Sequence, residues 1–268
     1  MIKPFCIVPT LGILAGCAAA PDPVIFDAGL ENQSGLVFSP DGSAAYWTAW
    51  DGAWGSRSAG RRTIFVSRRS GRTWSEAEAM PFSGNYSDDD PFVSPDGNWL
   101  YFVSERPTAD IWRYRLDGSG RLEHLDINSG AAEYSPIIVN SGALYFASAR
   151  DGGFGQGDIY RAEAVGDAFA EPQVLGPEIN SETGEWNVWV SPDESALIFE
   201  ASGRPTNISA SGDLYRSIRS DSGWLPAEPM KALNTSGSDL LPRLHPDGKT
   251  LYYTSAPIGG HASVYVRR

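Results

Sequence analysis

Four carboxylates and one amide recur at a single kind of place in this chain. Gln33, Asp88, Glu133, Glu185 and Asp239 each stand seven residues before a turn proline or its counterpart. Arg106, Arg150 and Arg204 each follow a serine by two residues, and Asp110, Asp158 and Asp213 lie further along the same units. Two chemistries suit that set. In the first, each guanidinium forks onto a nearby carboxylate and pins a loop, as an internal staple. In the second, the carboxylates line the mouth of a channel and bind a cationic group, a sugar or a metal. The candidate ligand-binding residues are then Asp88, Glu133, Glu185, Asp239, Arg106, Arg150, Arg204 and Trp186. Tyr134 and Trp186 adjoin the carboxylates in sequence, and Trp50 and Trp54 occupy a long loop. Aromatics beside convergent polar groups suit a carbohydrate or peptide, although most such rings pack between structural elements.

Other chemistry is thinly represented. No G-x-S-x-G occurs, which excludes a serine-hydrolase elbow. Ser67 to Trp74 looks like a single sialidase-type Asp-box with Arg69 at the acidic position, and Asp151 to Asp158 is one isolated glycine-rich acidic loop. His124, His245 and His261 are scattered, so zinc ligation is not expected. We assign no catalytic residue, no metal and no cofactor from the sequence.

The elements that position these residues repeat five times. The turn copies are Ser39-Pro-Asp-Gly42, Ser94-Pro-Asp-Gly97, Val139-Asn-Ser-Gly142, Ser191-Pro-Asp-Glu194 and His245-Pro-Asp-Gly248. Their last residues are 55, 45, 52 and 54 positions apart. Each turn is followed by an aromatic run such as Trp99-Leu-Tyr-Phe-Val-Ser104, then by a second such as Asp110-Ile-Trp-Arg-Tyr-Arg115. Short strands at this period predict an all-β, five-bladed β-propeller of four-stranded antiparallel blades. In such a meander the start of the first strand, the end of the second and the start of the third share one face, which collects the carboxylates and arginines.

The final repeat stops after its third strand. Pro23-Val-Ile-Phe26 resembles the fourth-strand segments Glu171–Leu175 and Pro226–Met230, so the N-terminal strand is expected to complete the last blade and close the ring. Ahead of it, residues 1–16 read as a lipoprotein signal peptide, with Lys3, an apolar stretch and Leu14-Ala-Gly-Cys17. Cys17 is the expected lipidation site, 17–22 a tether, and 23–268 the propeller. An ordinary secretory leader cleaved near Ala18 to Ala20 is the alternative. Cys6 and Cys17 are the two cysteines, so the mature domain would hold no disulfide. The net charge of −12 repels nucleic acid and anionic lipid. Membrane association is expected through the lipid alone.

Ser-Pro-Asp-Gly, then Leu-Tyr-Phe-x-Ser-x-Arg, then Asp-Ile-Tyr, together resemble the TolB-type (WD-like) propeller repeat, over roughly residues 23–268. The same repeat occurs in peptidoglycan-associated lipoproteins of the OmpA family. The resemblance implies a non-enzymatic binding or scaffold propeller of the cell envelope, periplasmic and lipid-anchored, in the outer membrane by the sorting rule for Ala18. Its expected partner is an envelope protein or a cell-wall or glycan ligand. The alternative is a glycosidase-like enzyme using carboxylates at the channel mouth, since five-bladed propellers include such enzymes.

Overall fold

The computed structural model describes residues 26–53, 60–257 and 259–267. All regular structure among them is β: five antiparallel sheets set around a ring, and a separate two-stranded ribbon of Ala164–Val165 and Ala168–Phe169. The innermost strands are Asn32–Phe38, Asp88–Val93, Glu133–Ile138, Gly184–Val190 and Ser238–Leu244. Each touches the innermost strands of its neighbours, and the first touches the last, so the ring closes. The second strands are Ala44–Trp50, Trp99–Glu105, Leu144–Ser148, Ala196–Ser202 and Leu251–Ala256. The third are Thr63–Ser70, Ala109–Arg115, Asp158–Ala162, Asp213–Ser220 and Ser263–Arg267. Short fourth strands at Glu78–Ala79, Leu122–His124, Gln173–Val174 and Glu228–Pro229 edge blades 1 to 4.

Sequence dictates the hairpins directly. Gly42, Gly97, Gly142 and Gly248 adopt φ of +68° to +84°, which a side chain disfavours, and Glu194 takes φ +58° in the remaining turn. The turn serine caps its own hairpin: Ser39, Ser94 and Ser191 donate to Asp41, Asp96 and Asp193 at 2.5–2.7 Å. His245 replaces that serine, and its Nδ1 accepts the Asp247 amide at 3.1 Å. Serine hydroxyls and backbone amides donated to Asp41 and Asp193 hold those carboxyls below their usual range.

Packing is concentrated at the seams between blades. An aromatic pair bridges the second and third strands in register: Trp47 with Phe65, Phe146 with Tyr160, Phe199 with Tyr215 and Tyr253 with Tyr265. Their centroids are 5.8–6.1 Å apart and nearly parallel. Such cross-strand pairs contribute about 0.5–1.5 kcal/mol each beyond area burial. Apolar clusters then join blade 1 to blade 2, blade 2 to 3, blades 3 through 5, and blade 5 back to blade 1.

That last seam is tied by backbone as well as by side chains. Gln33 N donates to the Ala262 carbonyl at 3.0 Å, and Ala262 N donates to Asn32 Oδ1 at 2.8 Å. Blade 5 shows three strands among the described residues. The expected closing strand begins at residue 23, and residues 23–25 lie outside the described residues, as do Trp54, Cys17, the leader and the tether. Phe26 is described, and it packs against Phe38, Trp47 and Trp74 with centroids 5.3–6.2 Å away, in the cluster that also holds Val264. Phe26→Ala is therefore expected to destabilise the domain by about 2 kcal/mol, visible as a lower thermal midpoint. A midpoint unchanged within error would show that the seam does not rely on this ring.

Candidate functional site

Each innermost strand carries one irregularity at the same place. Gly35, Asp90, Ser135, Asn187 and Leu241 have φ between +49° and +63°, and the strand register slips around each of them. A bulge of this kind bends the strand and re-aims its side chains. Here it brings the five residues to the axis of the ring.

Just before the bulge stand the repeating carboxylates. Asp88, Glu133, Glu185 and Asp239 are fully buried. Arg106 Nη2 reaches Asp88 at 3.0 Å, Arg150 Nη2 reaches Glu133 at 3.0 Å, and Arg204 Nη2 reaches Glu185 at 2.8 Å. The same nitrogens donate to the carbonyls of Phe82, Ile127 and Ile179 respectively. Each guanidinium also lies within 4.8–5.8 Å of both rings of an aromatic pair: Phe102 and Trp112, Phe146 and Tyr160, Phe199 and Tyr215. Blade 5 keeps the acid without the arginine. Asp239 accepts the Thr235 amide at 2.5 Å, and burial pushes its carboxyl above the usual range. Blade 1 has Gln33 in place of an acid.

Sequence reasoning missed the amides that complete these staples. Asn128, Asn180 and Asn234 each clamp the backbone of a third-strand residue. Each side-chain oxygen accepts the amide of Ile111, Ile159 or Leu214 at 2.7–2.8 Å, while the nitrogen donates to the same residue's carbonyl at 2.9–3.1 Å. A signal existed: Ile127-Asn-Ser, Ile179-Asn-Ser and Leu233-Asn-Thr each place the Asn five residues before the carboxylate. Asp158 and Asp213 serve the loops above, accepting the amides of Phe154 and Gly155, and of Ile208 and Ser209.

On the axis, at the same face, a cavity of about 420 Å³ opens. Of the eight candidate residues, Trp186 alone lines it; the others include Arg62, Asp89, Asp90, Tyr134, Asn187 and Glu200. Tyr134 and Trp186 meet edge to face at 5.6 Å. The indole lies against bare backbone, because a Cβ on Gly157 would come within 2.1 Å of the Trp186 ring. That close approach accounts for one glycine of the Asp151–Asp158 loop. Among the described residues, no three His, Cys, Asp or Glu side chains gather as metal ligands. A second cavity, of about 330 Å³, lies at the outer edge of blade 2, where Arg113 is closed onto Glu123 at 2.6 Å and the Asp167 carbonyl at 3.1 Å.

Hydrogen bonds join the acids of the axial cavity. Asp90 Oδ2 accepts from the Ser135 amide and hydroxyl, each at 2.9 Å, and Ser135 Oγ lies 2.9 Å from Asn187 Oδ1. Asn187 Nδ2 donates to Glu200 Oε2. Asp89 pairs with Arg62 at 3.1 Å. Among the described residues no cation pairs with Glu200. Burial, with the charges of Asp90, Asp239 and Asp213, pushes it up to about 8 despite the Asn187 bond. Burial and Asp89 raise Asp90 as well, against the opposing influence of Arg243. Glu200 escaped the sequence reading because it breaks the repeat. Its counterparts facing the innermost strands are Thr48, Val103, Ala147 and Thr254.

Two outcomes follow. Arg150→Ala leaves Glu133 buried without its cation and is expected to cost about 3 kcal/mol in urea unfolding; a loss under about 1 kcal/mol would refute the staple. For Glu200, the folded state holds the proton more tightly than the unfolded chain between about pH 4.5 and 8. Its contribution to stability therefore falls as pH rises through that window, by up to ~1.4 kcal/mol per unit. Unfolding titrations from pH 5 to 8 should show Glu200→Gln with the flatter profile. Parallel profiles for the two proteins would contradict the assignment.

No family model matches the chain, and no curated protein matches it. Solved structures do. TolB from Acinetobacter baumannii superposes with a TM-score of 0.56 at 16% identity, over 88% of this chain and 54% of that one. A candidate TolB from Agrobacterium tumefaciens gives 0.56 at 17% identity, over 87% and 80%. A glycosyl hydrolase from Bacteroides ovatus gives 0.52 at 9% identity, over 88% and 84%. The chain thus spans about half the length of the Acinetobacter protein. At these identities the likeness establishes the architecture alone: the chain is a β-propeller, with five blades of its own, and TolB-type proteins are among the solved structures it superposes on.

Proposed function

We propose that the chain is a non-enzymatic binding propeller of the cell envelope, which holds a protein or cell-wall component on the face where the axial cavity opens. The observation that carries this reading is the division between closed and open polar groups on that face. The three arginine–carboxylate pairs close on one another inside the fold, with Arg106 Nε and Glu133 Oε2 sealed from solvent and left without partners among the described residues. Their part is to fix the loops, and the axial cavity with its Tyr134–Trp186 wall is left to meet a ligand. Around it the connecting loops present exposed Tyr86, Phe154 and Ile208. Apolar side chains on polar loops at a cavity rim suit a protein or glycan surface. The TolB-type neighbours agree with a propeller used for binding.

The anchor belongs to the same reading. Leu14-Ala-Gly-Cys17 supports acylation at Cys17 and attachment to the periplasmic side of the outer membrane. Metabolic labelling with a radioactive fatty acid should mark the protein, and Cys17→Ser should abolish the label. Persistent labelling of that variant would remove the anchor from the reading. For the binding face, cross-linking to purified envelope fractions and a glycan array should each be tried with wild type and with Phe154→Ser/Ile208→Ser. Partner capture reduced about tenfold in the folded double variant supports the face; equal capture argues against it.

One observation favours a second reading. Glu200, buried and protonated near neutral pH, shares its cavity with Asp90, and a raised acid beside a second carboxylate is the pairing of a glycosidase. Turnover of aryl glycosides that disappears in Glu200→Gln would move the assignment to hydrolysis.

A further inference from the structure

We propose that the axial cavity is a receptor for an organic monocation, a primary ammonium or guanidinium group, held by Glu200 and Asp90 against the Tyr134–Trp186 wall. The inference rests on the reading of this face as the ligand-binding face and names the chemistry it recognises.

Glu200 is 7% exposed and Asp90 4% exposed, so both are more than nine-tenths buried. Each carboxyl group has one oxygen engaged: Glu200 Oε2 by Asn187, and Asp90 Oδ2 by Ser135. Among the described residues no hydrogen bond engages the other oxygens, Glu200 Oε1 and Asp90 Oδ1, and both residues line the cavity. Gly212 leaves room for the first of them, since a Cβ there would come within 2.0 Å of Glu200 Oε1. Two carboxyl oxygens on one cavity are thus available, and a cation supplies donors and charge to both once Glu200 gives up its proton.

The remaining walls suit the same guest. Tyr134 and Trp186 offer aromatic surface, and cations are attracted to such faces by about 0.5–2 kcal/mol. Arg62, the cation among the lining residues, is already committed to Asp89 and stacks over Trp50 at 5.4 Å. Behind the cavity wall the buried Arg243 offsets part of the Asp90 charge, while among the described residues no cation pairs with Glu200. Asn187 fixes the distance between them by bridging Ser135 to Glu200, which gives the site a built geometry. A bare metal ion fits less well, because the walls offer it two loose carboxylate oxygens among serine hydroxyls and carbon.

Charge makes the guest's arrival measurable. Asp90, Asp239 and Asp213 surround Glu200 with negative charge, Asn187 donates to it, and the Arg62–Asp89 pair completes the cavity. An incoming ammonium favours the carboxylate form, so binding should expel a proton from Glu200 and tighten as pH rises from 6 to about 8.

The test is calorimetric titration of the full chain with N-acetyl-lysine methylamide, glucosamine and N-acetylglucosamine, in two buffers of different ionisation enthalpy. At least one of the two amines should bind, with proton release, while the neutral sugar should not. Preference for the lysine derivative identifies a peptide side chain as the source, and preference for glucosamine an amino sugar. Glu200→Gln, with its thermal midpoint confirming folding, should weaken amine binding about tenfold or more and abolish proton release. Equal binding of the neutral sugar, no amine binding at millimolar concentration, or an unchanged Glu200→Gln would each overturn the proposal. Envelope partners captured undiminished by Glu200→Gln, and not displaced by the amines, would leave the binding face standing while the cation receptor falls.

Discussion

A single backbone irregularity, repeated in every blade, gives this molecule its usable interior. Without the bulge at Gly35, Asp90, Ser135, Asn187 and Leu241, each innermost strand would present alternate side chains to its neighbours and none squarely to the axis. Left-handed backbone costs roughly 1 kcal/mol or more at a non-glycine residue, and four of the five positions accept it. Burial of Leu241 offsets the cost in blade 5, and the Asp90–Ser135–Asn187 hydrogen bonds offset it in blades 2 to 4. Strain in the strand and order on the axis are two sides of one arrangement.

Repetition and function are divided between different positions. Residues that recur, such as the arginine–carboxylate pairs, the clamping asparagines and the stacked aromatics, hold strands and loops together. Buried ion pairs add little net stability over apolar packing, but they are costly to break singly, which makes them good at fixing geometry. Chemistry collects where a blade departs from the pattern. Glu200 stands where other blades have Thr, Val or Ala. Arg243 stands where they have Val37, Phe92, Ile137 and Trp189. It is fully buried, its Nη1 donates to the Val188 and Pro242 carbonyls, and burial lowers its own affinity for a proton.

The same division explains what could be read from the chain alone. Blade number, turn chemistry and the second and third strands are written in local signals, Ser-Pro-Asp-Gly and Leu-Tyr-Phe, that recur often enough to align. The carboxylates and arginines were visible for the same reason, as was their common face. The axial site was not, because it is assembled from exceptions: one residue in a bulge, one on a second strand, one indole beside a glycine. Asn187 and Glu200 are thirteen residues apart in sequence and Asp90 almost a hundred away. Only the register of Trp186 opposite Glu200 brings them together. The clamping asparagines fall between these cases, being periodic but set in loops where an Asn reads simply as a turn former.

The axial cavity draws its walls from all five blades, with Arg62 from the first, Asp90 from the second, Tyr134 from the third, Glu200 from the fourth and Leu240 from the fifth. A guest seated there works as a hub pin. It touches every spoke of the wheel, including the two that meet at the join between the chain's beginning and end. Any opening of that join would have to release the guest, so occupancy makes the whole ring more resistant to opening by RT ln(1 + [L]/Kd). The wheel would be at its most robust when loaded and loosest at its join when empty.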